Sequence, residues 1–164
     1  PNSAAENVPL SSLSKDALVA SVNVPVDPDG RVRRYFRGYA YQDHYRASMA
    51  AVLSGEAYGD TAPFLIDYGI RPDDIERISF KDVYNGTFDA SQVQGRVVLI
   101  GATAIELGDE FATPVRASMS GVLVHALAFE SLVQGRALVQ LGDELVILVA
   151  IGLLIALWPP RKPL

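Results

Sequence analysis

A run of apolar residues near the end of the chain limits the possible folds more than any other feature. The run, LVILVAIGLLIALW, covers residues 145–158 and contains no charged or strongly polar side chain. As a helix it is about 21 Å long, which is shorter than the ~30 Å hydrocarbon core of a bilayer. Length alone therefore favours a buried core helix.

The surroundings of the run favour a membrane helix instead. It is apolar on all sides, Trp158 stands at its end, and Pro-Pro-Arg-Lys follows. Interfacial aromatic residues and cytoplasmic basic residues flank membrane helices in this way. We predict a transmembrane helix over 144–158, with a start as early as residue 137, and a positive cytoplasmic flank over 159–164. The remaining domain, 1–143, is then extracytoplasmic.

Length and composition restrict the remaining choices. The chain has 164 residues, enough for one globular domain with a short appendage. Its formal net charge of −5 argues against nucleic acid as a partner. It has no cysteine, which excludes disulfides and thiolate metal sites. Because the chain starts at Pro1 without a signal peptide, we expect it to be a piece of a longer protein.

Strand-like and helix-like patterns alternate through the first 143 residues. This alternation predicts an α/β fold, a three-layer sandwich with a mixed sheet. Ser120 is the expected N-cap of the last helix before the apolar run, and Gly135 its end. Strands are predicted at residues 22–26, 31–41, 64–70, 75–80 and 96–103. A turn at Asp27-Pro-Asp-Gly joins the first two. The last, RVVLIGAT, is typical of a central strand covered on both faces. Helices are predicted at 44–54, 80–86 and 121–134.

Four arginines follow the turn and form one candidate site. Forked guanidinium groups suit carboxylates and phosphates, so Arg33 and Arg34 are candidate ligand-binding residues for an anion. The alternative is a solvated strand face or structural pairing with nearby acids. The arginines are Arg31, Arg33, Arg34 and Arg37, and the acids are Asp27, Asp29 and Asp43.

The loop after residues 96–103 provides a second candidate site. Ligands of open α/β sheets bind beyond the carboxyl ends of strands, which makes Thr103, Glu106 and Asp109 candidate pocket residues. The glycine spacing of this loop matches neither a dinucleotide fingerprint nor a P-loop, so a nucleotide-dependent enzyme is only a third hypothesis. His125 lies in an apolar helix, where histidine is either a packing residue or a ligand contact.

No motif for catalysis or metal binding emerges. The segment Asp27-Pro-Asp-Gly opens like a calcium loop, but the later ligands are missing. The sequence contains neither a G-x-S-x-G elbow nor an H-E-x-x-H helix. We therefore predict no catalytic residue, no metal and no cofactor in this region.

Three blocks, in this order, carry a family resemblance. VNVPVDPDGRVRRY (22–35), VVLIGATAIELGDEFATPV (97–115) and MSGVLVHALAFESLVQGRAL (119–138) resemble the second type of CHASE domain, a cyclase- and histidine-kinase-associated sensory extracellular domain of bacteria. The resemblance covers roughly residues 20–158. It implies sensing rather than catalysis, with an output domain beyond the membrane: a nucleotide cyclase, a diguanylate cyclase or a kinase. It also implies a further α/β portion upstream of the first block.

The leading hypothesis is a sensing module that biases a receptor through its exit helix. The partners expected from the resemblance are the membrane, a second copy in a homodimer, and an unknown small-molecule or protein signal. The alternative is a ligand-free dimerisation or protein-interaction module, favoured by the absence of a sharp chemical site.

Overall fold

The computed structural model describes residues 6, 8–41, 43–56, 59–140 and 142–157, which form a mixed α/β fold as predicted. The strands are β1 (Arg34–Phe36), β2 (Gly38–Ala40), β3 (Tyr45–Ala47), β4 (Pro63–Leu65), β5 (Glu110–Phe111) and β6 (Met119–Ser120). The helices are α1 (Ser11–Ser14), α2 (Met49–Ser54), α3 (Phe80–Asn85), α4 (Gly121–Val133) and α5 (Asp143–Ala156). Short 3₁₀ helices cover Pro72–Asp74, Ala90–Gln92 and Ile105–Leu107.

The strands pair two by two, always antiparallel: β1 with β4, β2 with β3, and β5 with β6. Single bridges add connections beyond these strand pairs. The Val32 N–H donates to the Ala112 carbonyl at 2.8 Å, and Leu65 and Leu138 exchange two bonds of 2.8 and 3.1 Å. Since the described strands do not merge into one sheet, the three-layer sandwich stays a prediction.

The core lies between α4 and the β1–β4 pair. α2 packs on α4, where Ala50 and Ala51 of α2 are buried and their small side chains permit close approach. Tyr35 of β1 faces Phe64 of β4 in register, and both rings are buried. The core comprises Val32, Tyr35, Ala50, Phe64, Ile66, Ile70, Met119, Leu123, Val124, Leu127, Ala128 and Leu132.

Several locally encoded features are confirmed. The turn after Asp27 closes with a 2.8 Å bond from the Gly30 N–H to the Asp27 carbonyl, and Gly30 has a φ of +79°. α4 follows Ser120 and ends before Gly135. Gly135 has a φ of +63°, a conformation that glycine adopts without strain but other residues do not. The predicted helical turn at 80–86 is α3.

Other predictions of local structure are wrong. Residues 22–26 form no strand, because the Asn23 backbone bonds to the side chains of Ser21 and Tyr39 instead of to a neighbouring strand. Residues 75–79 form no strand either. The helix predicted from residue 44 begins only at Met49, because residues 45–47 pair with β2. Hairpin pairing with the preceding strand outweighed the helical periodicity.

The strand predicted at 96–103 is also wrong. Across the described residues, the backbone of 97–103 makes no hydrogen bond. Val97, Val98 and Ile100 are exposed rather than covered. The segment approaches α4 at Gly101, where an added Cβ would lie 2.5 Å from the Cβ of Val122. A strand needs a partner strand, and this segment has none in the part of the chain described.

The apolar run forms α5, and every side chain of this helix is exposed. α5 is 14 residues long. Among the described helices, none combines the length and apolar character needed to cross a membrane. Trp158 and the flank over 159–164 lie outside the described residues, as does Leu141.

Candidate functional site

A buried polar pair joins α4 to β1. The Tyr35 hydroxyl and His125 Nδ1 share a hydrogen bond of 2.7 Å, and the two rings meet edge to face at 5.7 Å. Tyr35 is fully buried, and His125 is 8% exposed. Burial raises the pKa of Tyr35. Burial also lowers the pKa of His125, an effect that the Asp109 charge partly opposes. The pair is therefore neutral near pH 7.

Asp109 lies beside this pair, over the first turn of α4. The Gly121 N–H donates to the Asp109 backbone carbonyl at 2.9 Å. A Cβ on Gly121 would overlap the Asp109 carboxylate, so a larger residue at this position would require the carboxylate to move away. His125 is four residues after Gly121, which places it on the same face of the helix. Two of the predicted site residues, Asp109 and His125, are thus brought together.

Thr103 and Glu106 do not join them in a closed pocket. Both side chains are exposed, and within the described structure neither forms a hydrogen bond. Thr103 ends the unpaired segment 97–103 and Glu106 follows it, so neither lies at the end of a strand. Their ligand-binding role stays a prediction.

Arg33 and Arg34 form an ion-pair network with the turn before them. Arg33 donates to Asp27 at 3.0 Å and to Asp29 at 2.9 and 2.6 Å. Arg34 donates twice to Asp27, at 2.9 and 2.6 Å. The Arg34 hydrogen bonds hold the pKa of Asp27 below its usual value, and Arg33 lowers the pKa of Asp29 to about 2.

The predicted pairing with Asp27 and Asp29 is therefore present, whereas the pairing with Asp43 is wrong. Asp43 bonds to His44 at 2.7 Å. Arg37 donates to Glu56 at 2.6 Å, and Arg31 donates to the Thr113 carbonyl at 2.7 Å. These guanidinium groups already donate to acceptors within the chain, so a bound anion would have to displace those acceptors. An anion site at Arg33 and Arg34 stays a prediction.

Comparison with models of protein families identifies the family of the chain. The family model of the CHASE2 domain matches residues 3–158. The chain belongs to the CHASE2 family. CHASE2 domains are sensory extracellular domains, not catalytic ones. No curated protein and no solved structure gave a significant match to the chain.

Two shallow cavities of this CHASE2 domain are lined by residues other than the six predicted ones. One, of about 380 Å³, is lined by Ala17, Leu18, Val19, Tyr45, Arg46, Ala47 and Val52. Another, of about 230 Å³, is lined by Arg77, Ile78, Ser79, Asp82, Thr87, Phe88, Asp89 and Gln92. Both are open, so neither has the enclosed shape typical of a small-molecule site. Among the described residues, no cluster of three or more potential metal ligands occurs.

The residue that sequence reasoning missed is Tyr35. It belongs to a predicted strand, but nothing in its local pattern indicates that its hydroxyl meets a histidine 90 positions later. The available signal was general: a tyrosine in a buried strand needs a hydrogen-bond partner for its hydroxyl. Choosing His125 as that partner requires the tertiary structure.

Proposed function

We propose that this CHASE2 domain is the signal-sensing module of a bacterial transmembrane receptor. It lies on the extracytoplasmic side and acts through its C-terminal helix on a cytoplasmic output domain, a nucleotide cyclase, a diguanylate cyclase or a kinase. The observation that carries the proposal is the continuity of α4 with α5. α4 is almost entirely buried in the sensory core, whereas every side chain of the apolar α5 is exposed.

The segment between the two helices supports this route for the signal. Arg136 donates to Asp67 at 2.6 Å, and Leu138 bridges to Leu65 of β4. Any shift of α4 against the β1–β4 pair therefore changes the contacts that hold the start of the connection to α5. A signal acts only by favouring one such arrangement over another.

The membrane location of α5 is part of the proposal. Fourteen residues of helix extend about 21 Å, and exposed aliphatic side chains surround them on every side. Such a surface is unfavourable in water and favourable in lipid. The basic residues Arg161 and Lys162 support a cytoplasmic position for the end of the chain. Receptors of this type are expected to act as homodimers.

The test is an insertion of two glycines after Gly142 in the full-length receptor, in membrane vesicles. We expect the output activity to lose its response to compounds added on the domain side, while the thermal midpoint of the domain stays unchanged. The probes are a panel of inorganic anions, amino acids and sugars. The control is the same insertion after Gly86, which follows the exposed helix α3. A response that survives the insertion after Gly142 would contradict coupling through α5.

A second candidate function, an interaction module that binds no small ligand, has one specific observation in its favour. Residues 97–103 combine strand-forming side chains with a backbone that bonds to nothing in the described chain. A strand supplied by a second copy would satisfy these groups and cover Ile100.

A further inference from the structure

The histidine of α4 is the buried titratable group closest to the proposed signal route. The chain has two histidines, His44 and His125, and only His125 is buried. We propose that the proton is the signal that this CHASE2 domain reads, with His125 as the site that takes it up. This inference rests on the proposed function and names the ligand of the sensor.

The hydrogen bond to Tyr35 suits a neutral imidazole. In that form one ring nitrogen donates and the other accepts, so the Tyr35 hydroxyl can complete the pair with either role. A protonated ring donates from both nitrogens, and the hydroxyl must then accept and direct its own proton elsewhere. The neighbours Val124 and Leu127 on α4 are apolar and buried, and they offer the charge no solvation.

The charged groups around His125 are few. α2 and β6, which pack against α4, contain no titratable residue. On β1, Arg34 is bonded to Asp27, which leaves Tyr35 as the group that faces the ring. On β5, Glu110 accepts from Ser118, and on α4, Glu130 accepts from Gln134 at 2.6 Å. In the described structure, Asp109 is therefore the available carboxylate for a protonated His125.

The direction of the pH effect follows from burial. Because burial lowers the pKa of His125 in the folded arrangement, an arrangement that exposes the ring binds the proton more readily. The stability contributed by neutral His125 is present above pH 6.5 and is lost as the pH falls through the lowered pKa. Acidification thus favours a second arrangement, in which the ring leaves Tyr35 and α4 shifts against β1.

Distances between spin labels on α4 and on the core test this shift. The chain has no cysteine, so Thr61→Cys and Val133→Cys introduce two unique, exposed attachment sites. We expect the distance distribution of the 164-residue chain in detergent micelles to change between about pH 8 and about pH 5, with a midpoint below 6.5. The change should vanish in His125→Gln. An unchanged wild type, or an equal response in His125→Gln, would overturn the proposal.

His44→Gln is the matched control. His44 is exposed and bonded to Asp43 and Glu6, which raise its pKa. Its titration therefore has the opposite sign: its stabilising effect is full below pH 6.5 and is lost as the pH rises through the raised pKa. We expect the α4 response to persist in this variant. Its loss would assign the response to His44 and refute the proposal.

Asp109→Asn tests the site without replacing a buried residue. Asp109 is exposed, and its carboxylate raises the pKa of His125. Removal of this charge lowers the pKa of His125 further in the folded arrangement and enlarges its difference from the exposed arrangement, so the midpoint of the α4 response should move to higher pH. A midpoint that stays or falls would contradict the proposed interaction.

Receptor output separates the two proposals. If the labelled chain responds through His125 but the output of the full-length receptor does not follow, the proton site is supported and the coupling through α5 fails. If the receptor responds to another compound through α5 while His125→Gln leaves its pH response unchanged, the proton proposal fails and the sensing function stands.

Discussion

At the residue scale, Asp27 shows how a turn and a strand are held together. Its side chain is only 10% exposed, and each of its oxygens accepts from a different arginine, Arg33 or Arg34. A carboxylate shared by two guanidinium groups fixes the strand that follows relative to the turn that precedes it. The same arginines that indicate an anion site in the sequence are thus engaged within the fold.

We expect Asp27→Asn to lower the free energy of unfolding by about 1–2 kcal/mol, because the substitution weakens hydrogen bonds between charged groups. The loss is no larger because both guanidinium groups are half exposed and remain solvated. Chemical denaturation measures the loss. Since the pKa of Asp27 is lowered in the fold, the difference should be full above pH 3.8 and shrink as the pH falls.

Asp29→Asn is the control for this substitution. Asp29 forms an ion pair with one arginine, Arg33, accepts from the Arg31 N–H at 3.2 Å, and is half exposed, so its replacement should cost less than that of the more buried Asp27. Equal losses in the two variants would show that burial of the shared carboxylate contributes nothing.

At the scale of elements, α4 and α5 are both rich in aliphatic residues but have opposite environments. α4 buries Leu123, Val124, Leu127 and Leu132, whereas α5 buries no side chain. Neither helix has a clearly polar face, so amphipathicity does not separate them. The difference lies in what surrounds them.

Paired substitutions measure this difference. Leu127→Ala, at a fully buried position, should lower the free energy of unfolding by about 2–5 kcal/mol, because it leaves a cavity. Leu148→Ala, at a position that is 66% exposed, should change it by less than about 0.5 kcal/mol. Denaturation of the 164-residue chain in detergent provides both values. A large loss for Leu148→Ala would mean that α5 packs on the domain.

At the scale of the whole molecule, the segment 97–103 is the exposed apolar edge. Ile100 is 82% exposed, and the backbone around it lacks partners in the described chain. An edge of this kind favours pairing with another strand. It is therefore where we expect copies of the chain to meet.

We expect Ile100→Lys to shift the chain toward monomers without altering its thermal midpoint, because the charge disfavours edge pairing while the side chain contributes little to the core. Sedimentation in detergent gives the assembly state, and amide exchange over 97–103 should quicken in the variant. Val139→Lys, at another exposed position, is the control. Identical sedimentation of both variants and wild type would exclude this edge from the assembly.

Features that depend on adjacent residues could be predicted from the sequence by itself. The turn after Asp27, the end of α3 at Gly86 and the span of α4 between Ser120 and Gly135 follow from local backbone preferences and hydrophobic content. The choice of Asp109 as a candidate rests on the predicted strand at 96–103, which is absent, so the ligand-binding roles of Asp109 and His125 stay predictions.

Only the tertiary structure decided the features that need a distant partner. Residues 97–103 did not become a strand, because the described chain supplies no strand beside them. Tyr35 meets His125 across 90 positions, and Asp109 lies over the first turn of α4, where Gly121 leaves room for its carboxylate. Strand pairing and buried polar contacts depend on which segments meet in space, and a one-dimensional pattern does not contain that information.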